Sequence, residues 1–132
     1  MTNLAELLLD HPFADDRELI HGSCVDWTKA EAVWRVRALA DELLAAGVAP
    51  GHGVAVVRSH APDVIIAMTA IWSVGGVFVP VNPLLPAAGV EEIIAIVRPA
   101  AVLDDDGIHQ HPDAVVHCTK ATPSVWTTAS GC

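Results

Sequence analysis

Residues 64–90 contain no aspartate, glutamate, lysine or arginine, and this run restricts the fold of the 132-residue chain more than any other feature. A run of that length could cross a bilayer, which takes about 20 apolar residues in a helix. Five breakers interrupt it, however: Gly75, Gly76, Pro80, Asn82 and Pro83. A membrane helix would have to tolerate all of them. A buried helix, a glycine turn and a buried strand in succession place each one at the end of an element. Strands covered on both faces read as continuous apolar runs, which is the habit of parallel sheets. The stretch therefore predicts the centre of an α/β domain with no membrane span.

The flanks supply the remaining elements. Residues 4–9 read as a short helix, and residues 18–21 and 24–27 as a small hairpin around Gly22-Ser23. Thr28 and Glu31 have capping-box spacing, in which hydroxyl and carboxylate each satisfy an orphan backbone N–H. Val33, Val36, Leu39, Ala40, Leu43 and Leu44 recur at helical intervals behind that cap, and Gly47 suits the left-handed position that ends such a helix. Further on, the pattern predicts a strand over 53–57, a helix over 62–74 and a strand over 77–81. It continues with a helix over 87–97 and a strand over 101–103. An acidic turn, Asp104-Asp105-Asp106-Gly107, follows, and 114–117 is a further strand candidate. Strands alternating with helices call for a mostly parallel sheet flanked by helices and joined by right-handed crossovers. We read one domain over 1–132, with helix and hairpin in 1–27 and the α/β core in 28–132.

Charge narrows the function classes. Seven basic side chains against sixteen acidic ones give a formal charge of -9, and the basic residues are scattered. Such a surface repels phosphate backbones, which excludes nucleic acid as a partner. Trp27, Trp34, Trp72 and Trp126 are accordingly packing residues rather than a base-stacking platform. Cys24, Cys118 and Cys132 are odd in number and lack CxxC spacing, so free thiols in a reducing cytoplasm are expected. The N-terminus carries no signal-peptide pattern.

Three constellations could carry chemistry. The aspartates at 104–106 follow a strand, where α/β sheets bind ligands, and with Lys120 they would suit a small receiver-like regulator holding Mg²⁺. An exposed acidic turn is the simpler reading. His109 and His111, with His117, would make half a metal site, and surface histidines are again simpler. The C-terminal run "WTTASGC" offers small residues that leave backbone N–H groups free to face a phosphate.

Three stretches in order then resemble the N-terminal part of the adenylate-forming superfamily, which comprises acyl-CoA synthetases, luciferases and peptide-synthetase adenylation domains. Thr28-Lys29-Ala30-Glu31-Ala32 is similar to the family's T-Y-x-E-L, entering a helix that closes in "LLAAGVAPGHGVAVV". "APDVIIAMTAIWSVGGVFVPVNPLLP" resembles its S-P-E helix followed by A-G-A-x-x-V-P-x-N-P. "ASGC" falls where the phosphate loop T-S-G-T-T-G-x-P-K-G begins. Departures are Lys29 for an aromatic, Ala32 for leucine, Ala61 for serine, Ala129 for threonine and Cys132 for Thr or Ser. Asn82 in place of aspartate leans toward acyl- or aryl-CoA ligases.

The resemblance implies a two-step ligase. A carboxylate attacks the α-phosphate of Mg·ATP, and a thiol such as coenzyme A then displaces AMP. Thr128, Ala129, Ser130, Gly131 and Cys132 would be the ATP-contacting part of this chain. The loop lysine, the adenine and acyl pockets and the Mg²⁺-binding acid are expected beyond residue 132. No catalytic residue or metal ligand is therefore assigned, and the chain by itself is expected to bind ATP poorly and be inactive. The alternative is a non-catalytic module that keeps the fold for self-association or for docking the remainder of a split enzyme.

Overall fold

The computed structural model describes residues 3–110. A one-turn helix α1 (Glu6–Leu9) leads to a hairpin of β1 (Glu18–His21) and β2 (Asp26–Thr28), then to the long helix α2 (Lys29–Ala45). Next come β3 (Gly53–Val57), α3 (Ala61–Ser73), β4 (Val77–Pro80), α4 (Ala87–Val97), β5 (Ala101–Asp104) and β6 (Gly107–Gln110).

The capping box forms where its spacing places it. The Glu31 N–H donates to Thr28 Oγ1 at 3.2 Å, and the Thr28 N–H donates to Glu31 Oε2 at 3.0 Å. The buried stripe of α2 is Ala32, Val36, Leu39 and Leu43. It is rotated slightly from expectation: Ala32 rather than Val33 faces inward, and Leu44 stays 55% exposed. Gly47 has φ 84°, a left-handed position that a glycine occupies without steric cost.

The main sheet runs β4-β3-β5-β6, with β3 parallel to both β4 and β5. Val54 and Val56 of β3 and Ala101 and Leu103 of β5 join Leu39, Leu43, Ile66 and Ala70 from α2 and α3 in one buried core. The charge-free run is thus resolved into α3, a glycine turn and β4. At about 1.5 Å per residue α3 is too short to span a bilayer. Among the described residues no helix is long and apolar enough to cross a membrane. α4 buries none of its residues and leaves Ile96 76% exposed.

Two expectations change. The chain does not leave the sheet after the acidic turn: β5 folds straight back as antiparallel β6, with Asp104 opposite Gly107 and Leu103 opposite Ile108. Four residues starting at a glycine, with Ile108 the one apolar side chain before His109 and Gln110, were too few to register as a strand. The sheet is consequently mixed, three parallel strands with one antiparallel edge. Cys24 is disulfide-bonded rather than a free thiol. The 114–117 strand candidate lies outside the described residues.

Candidate functional site

Carboxyl ends of parallel strands are where an open α/β sheet meets its ligands. Here Arg58, Ser59 and His60 follow β3, Val81 and Asn82 follow β4, and Asp104 closes β5 opposite Val57.

Arg58 and Asp63 are buried at this edge, 5% and 1% exposed. Arg58 Nη1 lies 3.7 Å from Asp63 Oδ2, and His60 Nδ1 lies 3.3 Å from the same oxygen. Asp63 occupies the first turn of α3, where the helix dipole favours a negative charge. Burial nonetheless pushes its carboxyl above the ordinary range, opposed by the nearby charges of Arg58 and His60. Burial likewise lowers the Arg58 guanidinium, opposed first by Asp63 and then by Asp105 and Asp104. The cluster ties the end of a central strand to the start of a buried helix. Sequence reading missed it, although a polar triplet directly after a buried strand was a usable signal.

The acidic triplet does not converge on a shared ion. Asp104 Oδ1 accepts from the N–H groups of Asp106 (2.8 Å) and Gly107 (3.1 Å) and lies 2.9 Å from His109 Nε2. Asp104 thus builds the β5–β6 turn. Asp105 reaches across to β3, where the Ser59 N–H donates to Oδ1 at 3.3 Å and the Ser59 hydroxyl to Oδ2 at 2.8 Å. The receiver-like reading draws no support from this arrangement: Asp104 is engaged by the backbone of its own turn and Asp105 by Ser59. Asn82 Oδ1 accepts from the Leu84 N–H at 2.9 Å and shapes its own turn.

These residues do not assemble a phosphate cradle. Ser59 already holds a carboxylate, which would repel a triphosphate. Thr128, Ala129, Ser130, Gly131 and Cys132 lie outside the described residues, as do Lys120, His111, His117, Cys118 and Trp126.

The family model for AMP-binding enzymes matches residues 10–130. The hybrid PKS-NRPS synthetase mycA of Thermothelomyces thermophilus is 36% identical over 90 residues, which is 68% of this chain and 2% of that protein. Apo MatB from Rhodopseudomonas palustris superposes with a TM-score of 0.71 at 25% identity, covering 78% of this chain and 21% of MatB. The Klebsiella oxytoca NpsA N-terminal subdomain, solved in complex with 3-hydroxybenzoyl-AMSN, shares the fold with a TM-score of 0.70 at 24% identity. That alignment covers 80% of this chain and 27% of the subdomain. The chain therefore spans only a small part of the length of the proteins it matches.

Proposed function

The chain belongs to the AMP-binding enzyme family, and from that premise we propose that it forms the first α/β unit of an ATP-dependent carboxylate-activating ligase. In the proposed reaction a carboxylate oxygen attacks the α-phosphorus of ATP, pyrophosphate leaves, and a thiol such as coenzyme A then displaces AMP from the acyl-adenylate. Mg²⁺ would offset charge on the triphosphate, and the cytoplasm would supply these substrates. The role of this chain is to carry the parallel strands whose ends border the nucleotide, and to deliver residues 128–132 to its phosphates. The family match over residues 10–130, reaching into Thr128-Ala129-Ser130, carries this reading.

On the same reading the 132 residues are inactive alone, because the described strand ends hold no phosphate cradle of their own. Sequencing the transcript across residue 132 tests the ligase assignment. Continuation into a Gly- and Lys-bearing remainder of the loop is expected, and unrelated sequence in every frame overturns it. ATP–pyrophosphate exchange tests the inactivity. No exchange above background is expected from this chain with a panel of carboxylic acids, and acid-dependent exchange overturns it. A docking module without catalysis is the second reading, favoured by the exposed apolar side chains Leu84 (88%) and Ile96 (76%) on and beside α4.

A further inference from the structure

The β1–β2 hairpin carries a feature that the ligase reading does not use. Its inner face presents Ile20 and Trp27, 5% and 4% exposed, which pair across the ladder. Its outer face presents His21 opposite Asp26. In an unbroken strand Glu18 would share the face of Ile20, since side chains alternate with a period of two. The register shifts between Glu18 and Ile20. This bulge turns Glu18 outward beside His21, and re-aiming a side chain is a recurrent use of such irregularities.

As a result, one imidazole nitrogen and two carboxylate oxygens converge. His21 Nδ1 lies 3.1 Å from Asp26 Oδ1 and 3.7 Å from Glu18 Oε2, and all three donor atoms lie within 4.8 Å of one another. Ligands at about 2.1 Å around a tetrahedral ion are separated by about 3.4 Å. Two of the three spacings bracket that value before any ion is present to draw the ligands in. Asp16 lines the same shallow groove as Glu18 and His21 and offers a further oxygen. Arg17, the cation lining that groove, is drawn over the Phe13 ring at 4.2 Å.

We propose that Glu18, His21 and Asp26 form a binding site for a borderline divalent transition-metal ion of the Zn²⁺ class, which cross-links the two strands of the hairpin. The imidazole selects against Mg²⁺ and Ca²⁺, which prefer all-oxygen shells. Water completes the coordination, so the site is open. The bound ion closes the loop between His21 and Asp26 and braces the hairpin, whose Gly22 lies against Pro62 at the start of α3.

Isothermal titration calorimetry of the EDTA-stripped chain with ZnCl₂ tests this. One saturable ion per chain is expected, weakened about tenfold or more in His21→Asn and in Glu18→Gln. His109→Asn, which removes only the two-residue pair with Asp104, is expected to bind as wild type does. All of these positions are solvent-facing, so the variants are expected to keep the fold, and equal melting temperatures of the metal-free proteins verify that. Absent binding, binding unchanged in His21→Asn, or displacement of Zn²⁺ by a tenfold excess of Mg²⁺ each overturns the proposal. Added Zn²⁺ is also expected to raise the melting temperature of wild type but not of His21→Asn, because an ion bound to the folded state alone stabilises it.

Discussion

Asp63 concentrates the electrostatic cost of this fold. It is 1% exposed at the start of a buried helix and meets Arg58 and His60 at ion-pair distances. Its carboxyl is held above the ordinary range chiefly by burial. The folded chain therefore binds this proton more tightly than the unfolded chain does. The group favours folding in acid, and that contribution is lost as pH rises through the ordinary and then the raised value. The amide of an Asp63→Asn variant has no such proton to lose. In urea denaturation from pH 3 to pH 7, the stability difference of wild type minus Asp63→Asn is expected to fall as pH rises. A difference that grows with pH would mean the ion pair with Arg58 outweighs desolvation. Asn82 illustrates a different limit. Its side-chain oxygen accepts the Leu84 N–H, a task that aspartate performs equally, so the turn itself does not require asparagine.

Between α3 and β4 the two glycines do different jobs. Gly75 has φ 78°, which side-chain-bearing residues rarely adopt. Gly76 is tight instead: a Cβ there would sit 2.9 Å from Ile71 Cγ2, 3.2 Å from the Ile71 carbonyl oxygen and 3.3 Å from that of His52. Both carbonyls are engaged, accepting from the N–H groups of Gly76 and Val77 at 2.9 and 2.8 Å, so neither yields freely. Gly76→Ala is expected to destabilise by about 2 kcal/mol in urea titrations. Gly51→Ala is the control, because its φ of 83° is strained while nothing lies within 4 Å of the added methyl. It should cost about 1 kcal/mol. Equal losses at the two positions would show that packing at Gly76 has relaxed.

For the molecule as a whole, the uneven covering of the sheet matters most. α2 and α3 bury the shared core, whereas α4 buries none of its residues: its own Ile96 and Val97 are 76 and 38% exposed, and Leu84 just before it is 88% exposed. Apolar surface of this kind asks for a partner. Sedimentation velocity is expected to show concentration-dependent association of the chain, reduced in Ile96→Asp. A monomer at all concentrations, or association unchanged in Ile96→Asp, would remove this surface from the account. The same face is where the remainder of a longer enzyme would pack under the ligase reading.

Local physics explains how much was legible beforehand. The cap at Thr28, the left-handed Gly47, the ends of β3 and α4 and the breakers inside residues 64–90 each act over a few residues, so the sequence by itself determined them. The mostly parallel α/β class followed from their order. The tertiary structure alone decided the rest: the return of β5 into β6, the bulge that turns Glu18 outward, and the burial of Arg58 against Asp63. It also set the strand order β4-β3-β5-β6. Each of these depends on how elements pair and pack against one another or on a one-residue register shift. Neither propensity nor periodicity encodes which strand will lie alongside another, because that choice is made by the packing of the whole core.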